Sequence, residues 1–178
     1  EGQAAANNPY AGYSMLNKTY LAQAMPPLYF MKCSEVFFLM AEGALRGWNM
    51  NGTPQQFYEQ GIRYAALEAR TTMNNEYNQL VDEYLNVEAP KGIAYVDPQG
   101  LTPDMPSVTK IGVKWNESDS KEIKLEKIIT QKYIASFPYS YESWVDLRRV
   151  GYPKLFPILG VADSDGTIGA GDPWVQTK

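Results

Sequence analysis

The spacing of apolar residues along the chain predicts a mostly helical protein. From residue 33 to residue 47, apolar side chains recur every three or four positions, which is the period of an amphipathic helix. Further helices are predicted at 54–71, 75–86, 121–136 and 141–149. No comparable run has the strict alternation of a half-buried strand. The pattern therefore indicates an all-α fold.

Capping residues set the predicted helix boundaries. Thr53 to Gln56 reads as a capping box, in which the first and fourth residues bond to each other's backbone N–H, and Asp119 to Glu122 reads as a second. Ser34 is a cap-type residue near the start of the first helix, and Gly47 suits its end. The first two helices, joined by a short loop, predict an antiparallel hairpin of the tetratricopeptide kind, although one hairpin does not establish a repeat.

The segment 86–116 is too rich in proline and glycine to be helical. Long irregular segments in compact domains are usually functional or disordered, and its aromatic residues favour order here. A flat aromatic ring in such a segment has no helical stripe to join and is available for ligand contact. We therefore expect ligand contact first from Tyr95 and Trp115, then from Tyr10 and Tyr13 in the irregular N-terminal stretch.

The amino-acid composition excludes several classes of partner and of active site. The 178 residues suit one domain, and 44% are hydrophobic, which is enough for a packed core. A net charge of -4 without any basic run argues against a nucleic-acid partner. The chain has no histidine and one cysteine, so the commonest general base and metal ligand and any cysteine cluster are missing. We expect no cofactor and no metal, and no run of about 18 apolar residues predicts a membrane span.

Three side chains in helical surroundings are expected to be buried or half-buried. Cys33 should pack as a small hydrophobic group, since free cysteine usually does. Trp48 and Trp144 have apolar neighbours at helical spacing, which favours core or hairpin packing. Trp144 is expected to hold the last two helices against the first.

The adjacent Arg148 and Arg149 could bind an acidic ligand. The interpretation we favour is that one of them anchors a carboxylate and fixes the last helix, because guanidinium–carboxylate pairs commonly lock helices together. The candidate carboxylates are Glu35, Glu42 and Asp146.

Two sets of acidic residues were considered as a calcium site and as a catalytic pair. Asp163 to Gly166 resembles the start of a calcium loop, but the later acidic ligand is missing because position 174 is Trp. Glu142 and Asp146 lie one helical turn apart, whereas the paired carboxylates of glycosidases usually face each other across a cleft. We expect neither a calcium site nor catalysis from these residues.

The segment from Lys124 to Leu155 resembles the closing helices of the SusD/RagB family of nutrient-binding outer-membrane lipoproteins. The matching strings are Ile129-Thr130-Gln131-Lys132, Phe137-Pro138, Glu142 with Trp144, and Arg148-Arg149-Val150-Gly151-Tyr152-Pro153. Further matches, in order, are Ala41–Trp48, Tyr58–Arg63 and Tyr95–Pro98. Two family features are missing, the lipid-bearing N-terminal cysteine and a closing Arg-x-Pro-Tyr-Pro segment.

The resemblance implies an α-superhelical fold in which tetratricopeptide-like hairpins support irregular ligand-binding segments. It also implies a non-enzymatic lipoprotein, exposed on the outer membrane, that hands oligosaccharide, or peptide in some members, to a TonB-dependent transporter of the SusC type. We expect residues 1–178 to form one domain fragment, the C-terminal scaffold, with both native ends and the lipid anchor outside it. The alternatives are a tetratricopeptide scaffold that binds peptide or protein and, as a weaker one, a glycoside hydrolase.

Overall fold

The computed structural model describes residues 30–68, 75–90, 92–97, 100, 103–138 and 141–156. This part of the chain contains five helices and no strand, apart from one isolated bridge between Tyr95 and Met105, so the all-α prediction is confirmed. The five predicted helices are all present, with ends that differ from the predictions by a few residues at most. They are α1 (Cys33–Leu45), α2 (Pro54–Glu68), α3 (Asn75–Leu85), α4 (Lys121–Ser136) and α5 (Tyr141–Val150).

Helices α1 and α2 form the predicted hairpin. The capping box at its second helix is confirmed, since Thr53 N donates to Gln56 Oε1 at 3.0 Å and Gln56 N donates to Thr53 Oγ1 at 3.2 Å. Gly47 ends the first helix with φ of 90°, a conformation that glycine adopts without steric cost. Local chemistry therefore accounts for the ends at which the two helices are joined.

Two other predicted caps are used differently. Helix α1 has no side-chain cap, and Ser34 instead bonds through its N and Oγ to the Glu68 carboxylate, at 2.9 and 2.6 Å. In the second predicted box, Ser120 caps α4 by accepting from Ile123 N, one position later than expected. Asp119 pairs with Lys127 at 2.6 Å. Ser34 and Asp119 were predicted to cap their own helices. In the structure, each side chain instead bonds to a residue farther along the chain, Glu68 and Lys127 respectively.

The core lies where α1, α2 and α4 meet. Tyr58 and Phe38 are its largest fully buried side chains, and their rings meet edge to face at 6.5 Å. The core also includes side chains from α3 and from the segment that precedes α4. Its buried members are Phe38, Ala41, Tyr58, Ile62, Val81, Leu85, Val113, Trp115, Ile128 and Ile129.

An ionic network fastens α5 to α1 and α4. Arg149 binds both carboxylate oxygens of Glu42, one of them at 2.7 Å, and Asp146 at 2.9 Å. Lys132 pairs with Asp146 at 2.8 Å and with Glu35 at 3.3 Å. The prediction that one of the two arginines anchors a carboxylate is confirmed for Arg149.

The expected burial of three side chains is wrong. Cys33 is exposed at the first position of α1. Trp48 and Trp144 are 64% and 45% exposed. Helix α5 turns Ser143, Asp146 and Leu147 inward, which leaves Trp144 on its outer side, where the Arg148 guanidinium lies 4.7 Å from the ring centroid. Trp144 thus lies on the side of α5 that faces away from the other described helices.

None of the described helices is both long and apolar enough to cross a bilayer. The residues of the weak calcium motif, Asp163 to Gly166, lie outside the described residues.

Candidate functional site

The irregular segment between α3 and α4 is a loop that is closed at its neck. Val87 O accepts from the backbone N–H groups of Val113 and Lys114, at 2.8 and 2.9 Å, so the two ends of the loop meet. A Cβ at Gly112 would lie 2.0 Å from Glu88 O, so only glycine fits this close approach. Loops whose ends meet in this way are compact and often functional. We call residues 86–116 the neck-closed loop.

Helix α2 and the core hold the C-terminal side of this loop. The Tyr58 hydroxyl donates to Val113 O at 2.7 Å, and the Tyr58 ring lies 5.2 Å from the Trp115 ring. Burial raises the pKa of Tyr58, so the hydroxyl remains a proton donor. From α4, Lys127 Nζ donates to Lys114 O at 2.6 Å. The neck is therefore fixed by buried contacts from two helices.

The far part of the loop exposes apolar side chains. Tyr95 and Met105 exchange two backbone hydrogen bonds of 2.9 Å, which hold the two sides of the loop together. The Tyr95 ring is half-buried and lies 6.0 Å from the ring of Phe156, which follows α5. Ile93 and Val96, on either side of Tyr95, are exposed. The half-buried Tyr95 ring and the exposed side chains of Ile93 and Val96 are separate apolar groups of this loop that can contact the apolar faces of a ligand.

The four predicted ligand-contacting residues have different placements. Tyr95 lies in the far part of the loop and is half-buried beside Phe156, and its contact with a ligand stays a prediction. Trp115 is only 6% exposed and belongs to the core, so its expected placement on the loop surface is corrected. The reason is that the loop returns to the core before α4 begins, and Trp115 fills the space beside Tyr58. Tyr10 and Tyr13 lie outside the described residues.

Ion pairs surround the neck. The hydrogen bond from Lys114 and its charge hold the pKa of the Glu88 carboxyl below its usual value. The pKa of Glu117 is lowered by hydrogen bonds from Lys124 and from Trp115 Nε1. These carboxylates are therefore ionised and paired at neutral pH, and they orient the side chains at the neck.

Glu142 and Asp146 are not arranged as a reactive pair. Glu142 is exposed on α5, while Asp146 is buried between Lys132 and Arg149. The two carboxylates thus face different surroundings, unlike a glycosidase pair. In the part of the chain that the structure describes, no group of three or more His, Cys, Asp or Glu could hold a metal ion.

Sequence reasoning missed three residues of this loop surface. Ile93 and Val96 are apolar residues in a breaker-rich segment, and the same logic that selected Tyr95 could have selected them. The sequence around Phe156 does not predict a contact with the loop. Phe156 follows α5 and reaches Tyr95 only because the chain folds back. Tyr58 was predicted in a helix, but its bond to Val113 O could not be read from spacing.

Comparison with known proteins gives a consistent result. A sequence model described as "SusD-like: Susd and RagB outer membrane lipoprotein" matches residues 2–172. Among solved structures, a chitin-binding SusD homologue from Flavobacterium johnsoniae is 44% identical, with a TM-score of 0.66 over 74% of this chain and 26% of that chain. No curated protein matches the sequence.

Two further solved structures support the same fold. A SusD homologue from Bacteroides uniformis is 46% identical, with a TM-score of 0.65 over 74% of this chain and 26% of that chain. One from Bacteroides vulgatus is 32% identical, with a TM-score of 0.76 over 92% of this chain and 32% of that chain. The chain thus spans about a quarter to a third of the length of these solved relatives.

Proposed function

Because this chain belongs to the SusD/RagB family of outer membrane lipoproteins, we propose that it is part of a glycan-binding protein for nutrient uptake. The observation that carries the proposal is the match over residues 2–172, together with a chitin-binding homologue that is 44% identical. In this role the protein binds oligosaccharide at the cell surface without cleaving it. It then passes the ligand to a TonB-dependent transporter of the SusC type.

The neck-closed loop is the part of this chain that we assign to ligand contact. Its far end, held by the two Tyr95–Met105 backbone hydrogen bonds, carries the half-buried Tyr95 ring and the exposed side chains of Ile93 and Val96. Sugar rings have apolar C–H faces that stack on aromatic rings, and neighbouring apolar side chains extend such a surface. The Tyr58 ring of α2 is fully buried in the core and cannot serve in this way.

Calorimetric titration of the full-length lipoprotein tests both the function and the loop. The ligands are chitin oligosaccharides first, because of the chitin-binding homologue, and then a wider glycan and peptide panel. Tyr95→Ala should weaken binding about 2- to 12-fold, since an aromatic contact contributes about 0.5–1.5 kcal/mol and 1.4 kcal/mol is tenfold. Lys110→Ala, at an exposed position of the same loop, is the matched control and should bind as the unaltered protein does.

The possible results test the loop assignment and the proposed ligand class separately. Glycan binding that Tyr95→Ala leaves unchanged would remove the loop from the site and keep the proposed function. Binding of peptides and of no glycan would replace the proposed ligand class. A large fall in the melting temperature of Tyr95→Ala would show that its ring is a structural part of the loop.

A further inference from the structure

The connector between α1 and α2 contains Asn51, the only asparagine of the sequence that is followed by glycine. Asn51 and Gly52 are both exposed, and both lie outside the two helices. Asparagine is a thermolabile residue, because the backbone nitrogen of the next residue can attack its side-chain amide. The attack meets least hindrance when that next residue is glycine, which has no Cβ. The connector therefore carries the asparagine of this chain that is most open to such attack.

The fold explains why both residues stand here. Asn51 has φ of 58°, and it is the only described residue other than glycine in this left-handed region, which asparagine tolerates better than most side chains. A Cβ on Gly52 would lie 2.5 and 2.8 Å from two ring atoms of Phe57, so a larger residue would have to displace that ring. The Phe57 ring packs against the core. The turn thus favours asparagine, and the packing of α2 favours the glycine after it.

The two groups that would react have no protein partner to hold them. In the described part of the chain, neither the Asn51 side-chain amide nor the Gly52 N–H forms a hydrogen bond. The backbone N–H of Asn51 does, since it donates to Asn49 Oδ1 at 3.2 Å. The main chain before Asn51 is therefore held, while the amide and the attacking nitrogen are open to water.

We propose that Asn51 is a site of spontaneous deamidation in the folded protein. The Gly52 nitrogen forms a bond to Asn51 Cγ while the bond from Cγ to the side-chain nitrogen breaks. That nitrogen leaves as ammonia and carries the proton of the Gly52 N–H. Water then opens the resulting succinimide ring, at Cγ to give aspartate or at the backbone carbonyl to give isoaspartate. Either product has one more negative charge than asparagine.

The position of Asn51 lets the products remain folded. Aspartate would stand two residues before Thr53, whose capping box starts α2, and negative charge is favourable near the start of a helix. Isoaspartate adds one carbon to the main chain, but it does so in an exposed turn outside the capping box. The hairpin therefore accumulates an acidic form with time. The inference is independent of the proposed function, because it concerns a reaction of the turn and not the ligand.

Ageing of the full-length protein, at neutral and at mildly alkaline pH, tests the proposal by tryptic mass spectrometry. Trypsin cleaves after Arg46 and Arg63 and so releases Asn49 and Asn51 in one peptide. We expect a gain of about 1 Da at Asn51, as aspartate and isoaspartate, at least about tenfold faster than at Asn49. The reaction should be faster at the alkaline pH, because the attacking nitrogen must lose its proton. An unaged sample digested in parallel gives the background.

Asn49 is a matched control within the same connector. It is also exposed, but its Oδ1 accepts the Asn51 N–H, and the residue after it has a side chain. That side chain, of Met50, packs against α1, where its Sδ would lie 3.2 Å from a Cβ on Gly43. A second control is Asn51→Gly, which keeps the left-handed conformation and removes the reactive amide. The gain in mass at this position should then disappear.

Three results would overturn the proposal. Equal conversion of Asn49 and Asn51 would show that the glycine does not direct the reaction. Conversion of Asn51 in urea and not in the folded protein would show that the turn protects the amide. An equal gain in mass of this peptide in the Asn51→Gly variant would place the reaction at another residue.

Discussion

The Glu42 carboxylate links the end of α1 to α5. It lies on α1, it accepts from Arg46 one turn later, and it receives both terminal nitrogens of Arg149 from α5. Burial alone would raise the pKa of this carboxyl, but hydrogen bonds and charge from Arg149 and Arg46 outweigh burial and hold the pKa below its usual value. The ionised carboxylate is thus the form that the folded chain stabilises.

Arg149→Ala should destabilise the protein by about 1–3 kcal/mol. Removing one partner of a buried pair often costs about 3–5 kcal/mol, but Arg46 still serves Glu42 and the Arg149 side chain is 38% exposed. The neighbouring Arg148→Ala is the control and should cost about 0.5–1 kcal/mol, because it loses one exposed contact with Trp144. Urea unfolding of both variants makes the comparison, and equal losses would mean that the Arg149 pair contributes little.

The sequence did not predict which of Arg148 and Arg149 binds a carboxylate. Both could reach a carboxylate, and adjacent residues on a helix point about 100° apart, so the direction in which α5 packs decides between them. The apolar stripe suggested that Trp144 faces inward. The ionic contacts of Asp146 and Arg149 turn it outward instead.

At the scale of helices, the α1–α2 hairpin depends on one close approach. A Cβ on Gly61 would lie 2.7–2.8 Å from three ring atoms of Phe38, which is buried between the helices. Glycine inside a helix costs about 1 kcal/mol relative to alanine. The position keeps glycine because the Phe38 ring occupies the space.

Gly61→Ala should therefore destabilise the protein by up to about 2 kcal/mol, although alanine is the better helix former. Overpacking a fixed core costs about 1–3 kcal/mol, of which the gain in helix propensity offsets a part. Gln60→Ala, at the preceding exposed position, should stay within about 0.5 kcal/mol of the parent. Thermal and urea unfolding measure both. A stabilised Gly61→Ala variant would show that the ring can move aside.

Helix existence and ends could be predicted because their causes are local. The Thr53–Gln56 box and Gly47 act within a few residues, and both are confirmed. The use of Ser34 to bind Glu68 depends on packing between two helices and left no local signal. The fate of the loop aromatics also depends on contacts between distant residues. The irregular sequence around Tyr95 and Trp115 predicted that both rings lie outside the core, but Trp115 packs in it beside Tyr58.

At the scale of the whole molecule, the absence of histidine shapes the response to pH. No side chain of the chain has an unperturbed pKa between about 5 and 8. The carboxyls of Glu42, Glu88 and Glu117, by contrast, have pKa values below the usual 4.5. A lowered folded-state pKa adds stability above the unfolded-state value, and this stability is lost as pH falls through the folded-state value.

The free energy of unfolding should therefore be nearly level from about pH 5.5 to 7.5 and fall below about pH 4.5. Glu42→Gln should be less stable than the parent at pH 7, and the difference should shrink as pH falls through the lowered pKa of Glu42 and the parent carboxyl becomes protonated. Urea titrations at half-unit pH steps measure both curves. A difference that grows towards low pH would reverse the sign of the argument.

The pairing of Glu42 with Arg149 also has a consequence for the order of events during synthesis. The two residues are 107 positions apart. At about 5–20 residues per second, a ribosome adds Arg149 roughly 5–20 s after Glu42. Helices form and pack far faster than that, so the α1–α2 hairpin can assemble while Glu42 still lacks its distant partner. Arg46, made four residues later, gives the carboxylate a cation during this interval. A side chain that looks redundant in the finished fold is thus the first partner in time.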